Sequence, residues 1–193
     1  EIAQCLVGSE MCIRDRVYVI GCLSQRYGAE LQEEIPEVDA FFGKFDWKGV
    51  LERMGEHFDE RIRNQRVLTT PDHYAYLKIS EGCNRTCSYC AIPIMTGKHK
   101  SRDFEELLEE CRALVKGGVK EILVVAQDLT YYGIDLYGKN RLAELIGRIA
   151  DIEGLEWIKL HYAYPAGFPL ELLTVMRERP NVCKYLDIAL QHC

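Results

Sequence analysis

Hydrophobic and polar positions change rhythm along the chain. Residues 17–23 (VYVIGCL) form a β-branched and aromatic run that reads as a strand, and the amphipathic stretch after it, with Leu31 and Ile35 on one face, reads as a helix. Residues 38–42 make a second short strand closed by Gly43, and Trp47, Val50, Leu51 and Met54 recur at helical spacing. Residues 57–73 lose periodicity, gain charge and contain Pro71, so a domain linker is placed there. Beyond it the pattern is regular. A strand over 74–80 leads into a long loop over 81–101, and Phe104, Leu107, Leu108, Cys111, Leu114 and Val115 mark one face of a helix that stops at Gly117 and Gly118. Strands follow at 121–128 (EILVVAQD), 157–163 and 185–191, separated by helices at 142–149 and 170–176.

Alternating strands and helices with near-continuous apolar strands predict an α/β fold, a parallel sheet with right-handed crossovers. Polar residues gather where strands end: Glu81, Gln127 with Asp128, His161 with Tyr162, and Gln191 with His192. In α/β sheets and barrels those ends face the ligand, although strands also run into polar loops for no functional reason.

Composition narrows the classes. At 193 residues, 48% hydrophobic and 28% charged, the chain is one globular domain or one domain plus a fragment, not a disordered segment. Its longest apolar run, 17–23, is far below the roughly 20 residues of a membrane span, and no secretion signal is recognisable. A net charge of -6 has the wrong sign for holding nucleic acid by phosphate neutralisation alone, so no direct nucleic-acid binding is expected. Lys98, His99, Lys100 and Arg102 form a short basic cluster that could steer an acidic target or RNA, but a charge run is more often a solvated face. The chain opens at Glu1 without a methionine and stops just after a strand-like run, which reads as a fragment of a longer protein.

Nine cysteines are too few for a disulfide scaffold at this length, and three are bunched at Cys83, Cys87 and Cys90, as expected of a metal or cluster site in a reducing, cytoplasmic compartment. The spacing CxxxCxxC directly after a strand can bring three soft thiolates to one point. A closed zinc site needs a fourth ligand, from His99 or a distant cysteine; a 4Fe-4S cluster on three thiolates keeps one iron open, a catalytic arrangement. Cluster, zinc and chance clustering of core cysteines all remain, in that order. Cys111 lies on an apolar helix face and reads as core, while Cys183 and Cys193 have no ligand spacing. His161 and His192 are not expected to act as acid or base, and Pro93 and Gly97 shape the turn that leaves the cysteine loop.

With an aromatic residue before its last cysteine, this loop resembles the signature of the radical S-adenosylmethionine (radical SAM) enzymes. The string YLKISEGCNRTCSYCAIPIMTGKHKSR resembles the methylthiotransferase branch, and GCLSQRYG resembles the end of that branch's N-terminal domain. Within the branch, ISEGC, AIPIMTG, AQDLTYYGIDLYG, LHYAYP and YLDIALQH resemble enzymes that modify an aspartate of a small-subunit ribosomal protein. Relatives that modify isopentenyladenosine in tRNA typically show RGC in place of SEGC and a GQNV-like end to the second strand. The likeness spans residues 17–193.

The resemblance implies the first four strands of a partial radical SAM (β/α) barrel at 74–193, preceded by the tail of an N-terminal domain at 17–56. It implies that Cys83, Cys87 and Cys90 ligate a 4Fe-4S cluster that binds S-adenosylmethionine, with Tyr89 beside the adenine and Gln127 as a further cofactor contact. It also implies a second 4Fe-4S cluster, of which Cys22 matches the last ligand, and an electron donor such as flavodoxin or ferredoxin. The expected activity is transfer of a methylthio group to the β-carbon of that aspartate, with no membrane partner; the tRNA-modifying reaction and a non-catalytic zinc module are the alternatives. The sequence departs from the branch at residues 1–16, EIAQCLVGSEMCIRDR, which hold Cys5 and Cys12 but resemble translated adapter sequence and are set aside from the fold. The other two second-cluster ligands, the last barrel strands and a C-terminal TRAM domain of the branch have no counterpart here, so full activity of this stretch alone is not expected.

Overall fold

The computed structural model describes residues 16–44, 46–57 and 67–190. The chain divides into two compact units, with the break between residues 60 and 61. Most of the linker reading falls on 58–66, outside the described residues.

In the first unit, β1 (Tyr18–Gly21) pairs in parallel with β2 (Ala40–Gly43), in register from Tyr18 opposite Ala40 to Gly21 opposite Gly43. Helix α1 (Cys22–Glu34) connects them. The first strand is shorter than the run 17–23 suggests. Gly21, with φ of 153°, turns the chain directly from strand into helix, so Cys22 is the first helical residue. Helix α2 (Trp47–Met54) starts where the Asp46 carboxylate accepts the Gly49 N–H at 3.0 Å, satisfying a donor the helix itself leaves unpaired. Its apolar spacing buries Val50, while Trp47 and Met54 stay exposed.

The second unit is built on a four-stranded parallel sheet in the order β3 (Tyr74–Lys78), β6 (Glu121–Val125), β7 (Trp157–Ala163), β8 (Val182–Ile188). Helices α4 (Phe104–Lys116), α6 (Leu142–Ala150) and α7 (Glu171–Glu178) follow the first three of these strands, as the periodicity predicts. Ala75 and Leu77 of β3, Ile122 and Val124 of β6, and Ile158 and Leu160 of β7 pack with Leu107, Cys111, Leu145 and Ile149 into one apolar core. Each of its larger buried side chains contributes roughly 1.5–3 kcal/mol.

Strands β3 and β7 alternate instead of being apolar throughout. Register sets Tyr76 beside Leu123 and Leu123 beside Lys159, and Val125 beside His161. This second face is half-polar, with Lys159 paired to Glu121 at 2.7 Å. Strand β8 begins three residues earlier than expected. The run 185–191 is mostly apolar, but pairing with β7 starts at Val182 opposite Ile158, because the Asn181 carbonyl at the strand's entry accepts the Ile158 N–H at 2.8 Å and its side-chain amide donates to the Ala150 and Leu155 carbonyls, at the two ends of the turn before β7. Asp128 likewise lies past its strand and caps a 3-10 turn (Leu129–Tyr131), which with α5 (Ile134–Tyr137) the apolar pattern does not reveal.

Candidate functional site

The stretch between β3 and α4 is not a free loop. Strand β4 (Ser80–Glu81) pairs antiparallel with β5 (Lys100–Ser101), closing the neck of the cysteine segment, and α3 (Ile92–Met95) gives it a short helical turn. Gly82 has φ of +78°, and a Cβ there would stand 2.2 Å from the Lys98 carbonyl oxygen, so no other residue fits before the first cysteine. The next N–H, of Cys83, donates to the Gly97 carbonyl at 3.2 Å, which places Gly97 in the turn as its sequence position suggests.

Cys83 is buried, and Cys87 and Cys90 are half-buried. Burial pushes the Cys83 thiol up, against the Arg85 N–H that donates to its sulfur at 3.4 Å. The Cys90 N–H donates to the Cys87 carbonyl at 3.0 Å, tightening the second half of the motif. None of the three is in a disulfide, nor are Cys22, Cys111 and Cys183. Cys90 raises the Cys83 thiol electrostatically, yet among the described residues no three His, Cys, Asp or Glu side chains converge on a single metal-ion position.

Arg85, between two of the cysteines, is the residue that ties this loop to the sheet. Its Nε donates to Asp128 Oδ2 at 2.8 Å, its Nη2 to the Ala166 carbonyl at 2.9 Å and to Thr130 Oγ1 at 3.3 Å, and its guanidinium lies 4.1 Å from the centre of the Tyr164 ring. Asp128 is almost wholly buried, and its other oxygen accepts the Thr130 N–H at 2.9 Å. A paired and hydrogen-bonded carboxylate tolerates that burial; an isolated one would not.

On the other side of the neck, Ser101 Oγ donates to Asp135 Oδ1 at 2.5 Å, accepts from the Gly133 N–H at 2.9 Å, and lies 3.2 Å from His99 Nε2. The Ser101 N–H adds a second bond to Asp135 at 2.7 Å. Burial works against the Asp135 charge, but the Ser101 bonds prevail and hold its carboxyl low; burial draws His99 below its ordinary value. The basic cluster is therefore a solvated face only in part. His99 is buried, and Arg102 is clamped by Glu106 at 2.7 Å and Glu110 at 2.8 Å, which leaves Lys98 and Lys100 as its outward charges.

The remaining candidates separate. Gln127 donates to Glu81 across the ends of β6 and β4, and Glu81 also pairs with Lys78. Tyr89 is 76% exposed on the cysteine loop. His161 Nδ1 stands 3.6 Å from Asp187, beside Tyr162, a non-glycine residue at φ of 68°. Cys111 is in the core, and Cys183 is half-buried in β8. Cys5, Cys12, Gln191, His192 and Cys193 lie outside the described residues. Sequence reasoning missed Arg85, Tyr164, Ser101 and Asp135. An arginine inside a thiol motif was the available signal for the first, since a half-buried guanidinium requires an acceptor.

The fold is a parallel α/β sheet with a three-cysteine loop directly after the first strand of that sheet. A profile described as the Radical SAM superfamily matches residues 77–193, and the chain belongs to that superfamily. The ribosomal protein uS12 methylthiotransferase RimO of Porphyromonas gingivalis is 65% identical over 176 residues, covering 91% of this chain and 41% of that protein. RimO of Bacteroides fragilis is 65% identical over 178 residues (92% and 41%), and that of Cytophaga hutchinsonii 51% over 178 (92% and 41%). The chain thus spans about two fifths of the length of these relatives. A solved radical SAM methyltransferase, TsrM from Kitasatospora setae with tryptophan substrate and a SAM analogue bound, overlays 63% of this chain and 22% of its own with a TM-score of 0.49 and 16% identity. No helix among the described residues is long and apolar enough to cross a membrane.

Proposed function

We propose that the chain is the cluster-bearing part of a methylthiotransferase that modifies an aspartate of a small-subunit ribosomal protein. The observation that carries this reading is the placement of three cysteines outside any disulfide on a glycine-fixed loop at the ligand end of the sheet, in a sequence 65% identical to RimO over 91% of its length. The chemistry of the donor set fits a 4Fe-4S cluster: three thiols outside any disulfide, at CxxxCxxC spacing on one short loop, supply the soft ligands such a cluster takes. When bound, such a cluster would offer its open iron to the amino and carboxylate groups of S-adenosylmethionine and pass on the electron that starts radical chemistry.

The chain's own residues do the positioning. Gly82 and the β4–β5 neck fix where the loop leaves the sheet, Arg85 fixes its tip, and the exposed Tyr89 ring is available to the adenine. Gln127 and Glu81 present amide and carboxylate groups at the strand ends for the rest of the cofactor. Cys22, at the first position of α1, is proposed as one ligand of a second cluster in the first unit. A flavodoxin- or ferredoxin-type protein would supply the electron, in the cytoplasm.

The test is reductive cleavage of S-adenosylmethionine by anaerobically reconstituted protein. In the full-length protein, Cys83→Ala, Cys87→Ala and Cys90→Ala are each expected to abolish formation of deoxyadenosine, and equal rates in wild type and variants would overturn the assignment. Cys22→Ala should preserve cleavage while eliminating methylthio transfer to the ribosomal protein. Retained transfer would remove Cys22 from the ligand set.

A further inference from the structure

Two unfavourable features meet at the end of β7. Tyr162 sits at φ of 68°, a left-handed backbone that a bulky side chain adopts only under constraint. His161 Nε2 is buried and has no hydrogen-bond partner among the described residues. Both residues fall where the pairing of β7 with β8 shifts register, between Leu160 and Ala163. Irregularities of this kind re-aim side chains, and strain of this kind gathers where a ligand is met. The side chains concerned offer negative charge and π-electrons. The Tyr162 ring is 58% exposed, its centre 6.1 Å from that of His161. His161 Nδ1 stands 3.6 Å from Asp187 Oδ2 on β8. Asp187 has more than a third of its side chain open to solvent and meets no lysine or arginine among the described residues. On the same face Glu121 does have its cation, Lys159 at 2.7 Å. A carboxylate without a cation, beside an exposed aromatic ring, suits an ammonium or guanidinium group.

We propose that Asp187 and Tyr162 receive a lysine or arginine side chain of the protein substrate, and that His161 is the positioning residue that aims the Asp187 carboxylate. The inference rests on the methylthiotransferase reading above and deepens it, since the target aspartate is then recognised together with a basic neighbour. The step is binding alone: the cation exchanges water for a carboxylate and a ring. S-adenosylmethionine also carries an ammonium group, but in that reading the open iron takes it, so the cation left for the end of β7 is the substrate's. The net charge of -6 draws a basic segment in from a distance as well.

The test is fluorescence anisotropy on the full-length, anaerobically reconstituted protein. The probes are a labelled peptide spanning the target aspartate of the ribosomal protein and the same peptide with its lysines and arginines replaced by glutamine. Wild type should bind the basic peptide more tightly, and Asp187→Asn should bind it about tenfold more weakly, with the preference gone. Tyr162→Gly should lose affinity severalfold while its urea midpoint rises, because glycine adopts the left-handed backbone without strain. His161→Leu should weaken binding of the basic peptide. His161→Asn keeps a donor near the place of Nδ1 and should restore most of it. Equal affinity of wild type for the two peptides, or a preference that survives Asp187→Asn, overturns the inference. So does an Asp187→Asn variant that binds both peptides normally but needs more S-adenosylmethionine for cleavage in the absence of substrate, since the pair then serves the cofactor. A lower midpoint with unchanged affinity in Tyr162→Gly overturns the role of the ring, and equal losses in His161→Leu and His161→Asn overturn that of His161. A wild-type protein that modifies no ribosomal protein and binds neither peptide overturns the methylthiotransferase reading, and this inference with it.

Discussion

The two units carry the same strand–helix alternation and bury very different amounts of it. In the first, Ser24, Val38 and Val50 are buried, while Val17, Ile20, Leu23, Ile35, Trp47 and Met54 remain exposed. In the second, three helices cover one face of four strands, and Leu77, Ile122, Leu145, Ile146, Ile149 and Ile158 are fully buried. Periodicity says which side of an element is apolar. Whether that side becomes core depends on how many strands and helices meet there, and two strands do not make enough surface to pack against.

Substitutions can break this contrast. Leu145→Ala removes a fully buried side chain from the core between sheet and helices and should cost about 4 kcal/mol in urea unfolding, while Met54→Ala, at an equally apolar position by sequence, should stay within about 0.5 kcal/mol. Equal losses would mean that α2 is covered and that the contrast between units is false.

The same comparison applies to ion pairs. Asp128→Ala strands a half-buried Arg85 and should destabilise by roughly 3 kcal/mol, with loss of order in the cysteine loop seen as faster proteolysis. Asp151→Ala breaks the surface pair with Arg179, both partners nearly half exposed, and is expected to cost less than about 1 kcal/mol. Similar values for the two would show that Arg85 finds another acceptor and that the loop is not anchored through Asp128.

The strand and helix order of the second unit was legible because each element is long enough to show its period: β7 at Trp157–Ala163 and α6 at Leu142–Ala150 fall where the pattern puts them. The superfamily was legible in the cysteine loop, whose close spacing of three soft ligands lies within the stretch that the superfamily profile matches. What was not legible depends on pairs far apart in sequence. Nothing along the chain connects Arg85 to Asp128 and Tyr164, and the two-residue strands β4 and β5 are too short to carry a pattern. His99 and Arg102 misled for the opposite reason. Adjacent charges look like one surface, but the chain through β5 sends alternate residues to opposite sides; Arg102 meets the carboxylates of α4, and His99 meets Ser101, which in turn bonds Asp135 of α5.

Helix starts give a smaller contrast between the units. Asp103 accepts the N–H groups of both Glu105 (3.0 Å) and Glu106 (3.1 Å) at the start of α4, and these bonds hold its carboxyl below the ordinary range. Asp46 accepts one, from Gly49. Asp103→Ala should cost about 1 kcal/mol and Asp46→Ala about half of that. The Asp103 contribution is fully present above the unfolded-state pKa of about 4 and is lost as pH falls through the lower folded value. A larger cost at Asp46 would place more of the folding energy in the first unit than its burial suggests.

The smallest effect is the most local to the candidate site. His99 is buried beside Ser101 and Tyr131, and desolvation lowers its pKa against the pull of Asp135 and Asp128. Above pH about 6.5 the imidazole is neutral in both folded and unfolded chains, and it adds no pH dependence. Below that value the unfolded chain takes up a proton that the folded chain refuses, so stability falls with pH until the lowered folded value is reached, by at most about 1.4 kcal/mol per pH unit. His99→Gln keeps a side-chain amide near Ser101 and removes the titration. Urea unfolding between pH 7.5 and pH 5.5 should therefore show a shallower loss in the variant, since every carboxylate contributes equally to both proteins. Parallel losses over that range would mean that the folded chain protonates His99 as readily as the unfolded chain, the Asp135 charge offsetting burial, and a smaller loss in the wild type than in the variant would mean that the charge prevails.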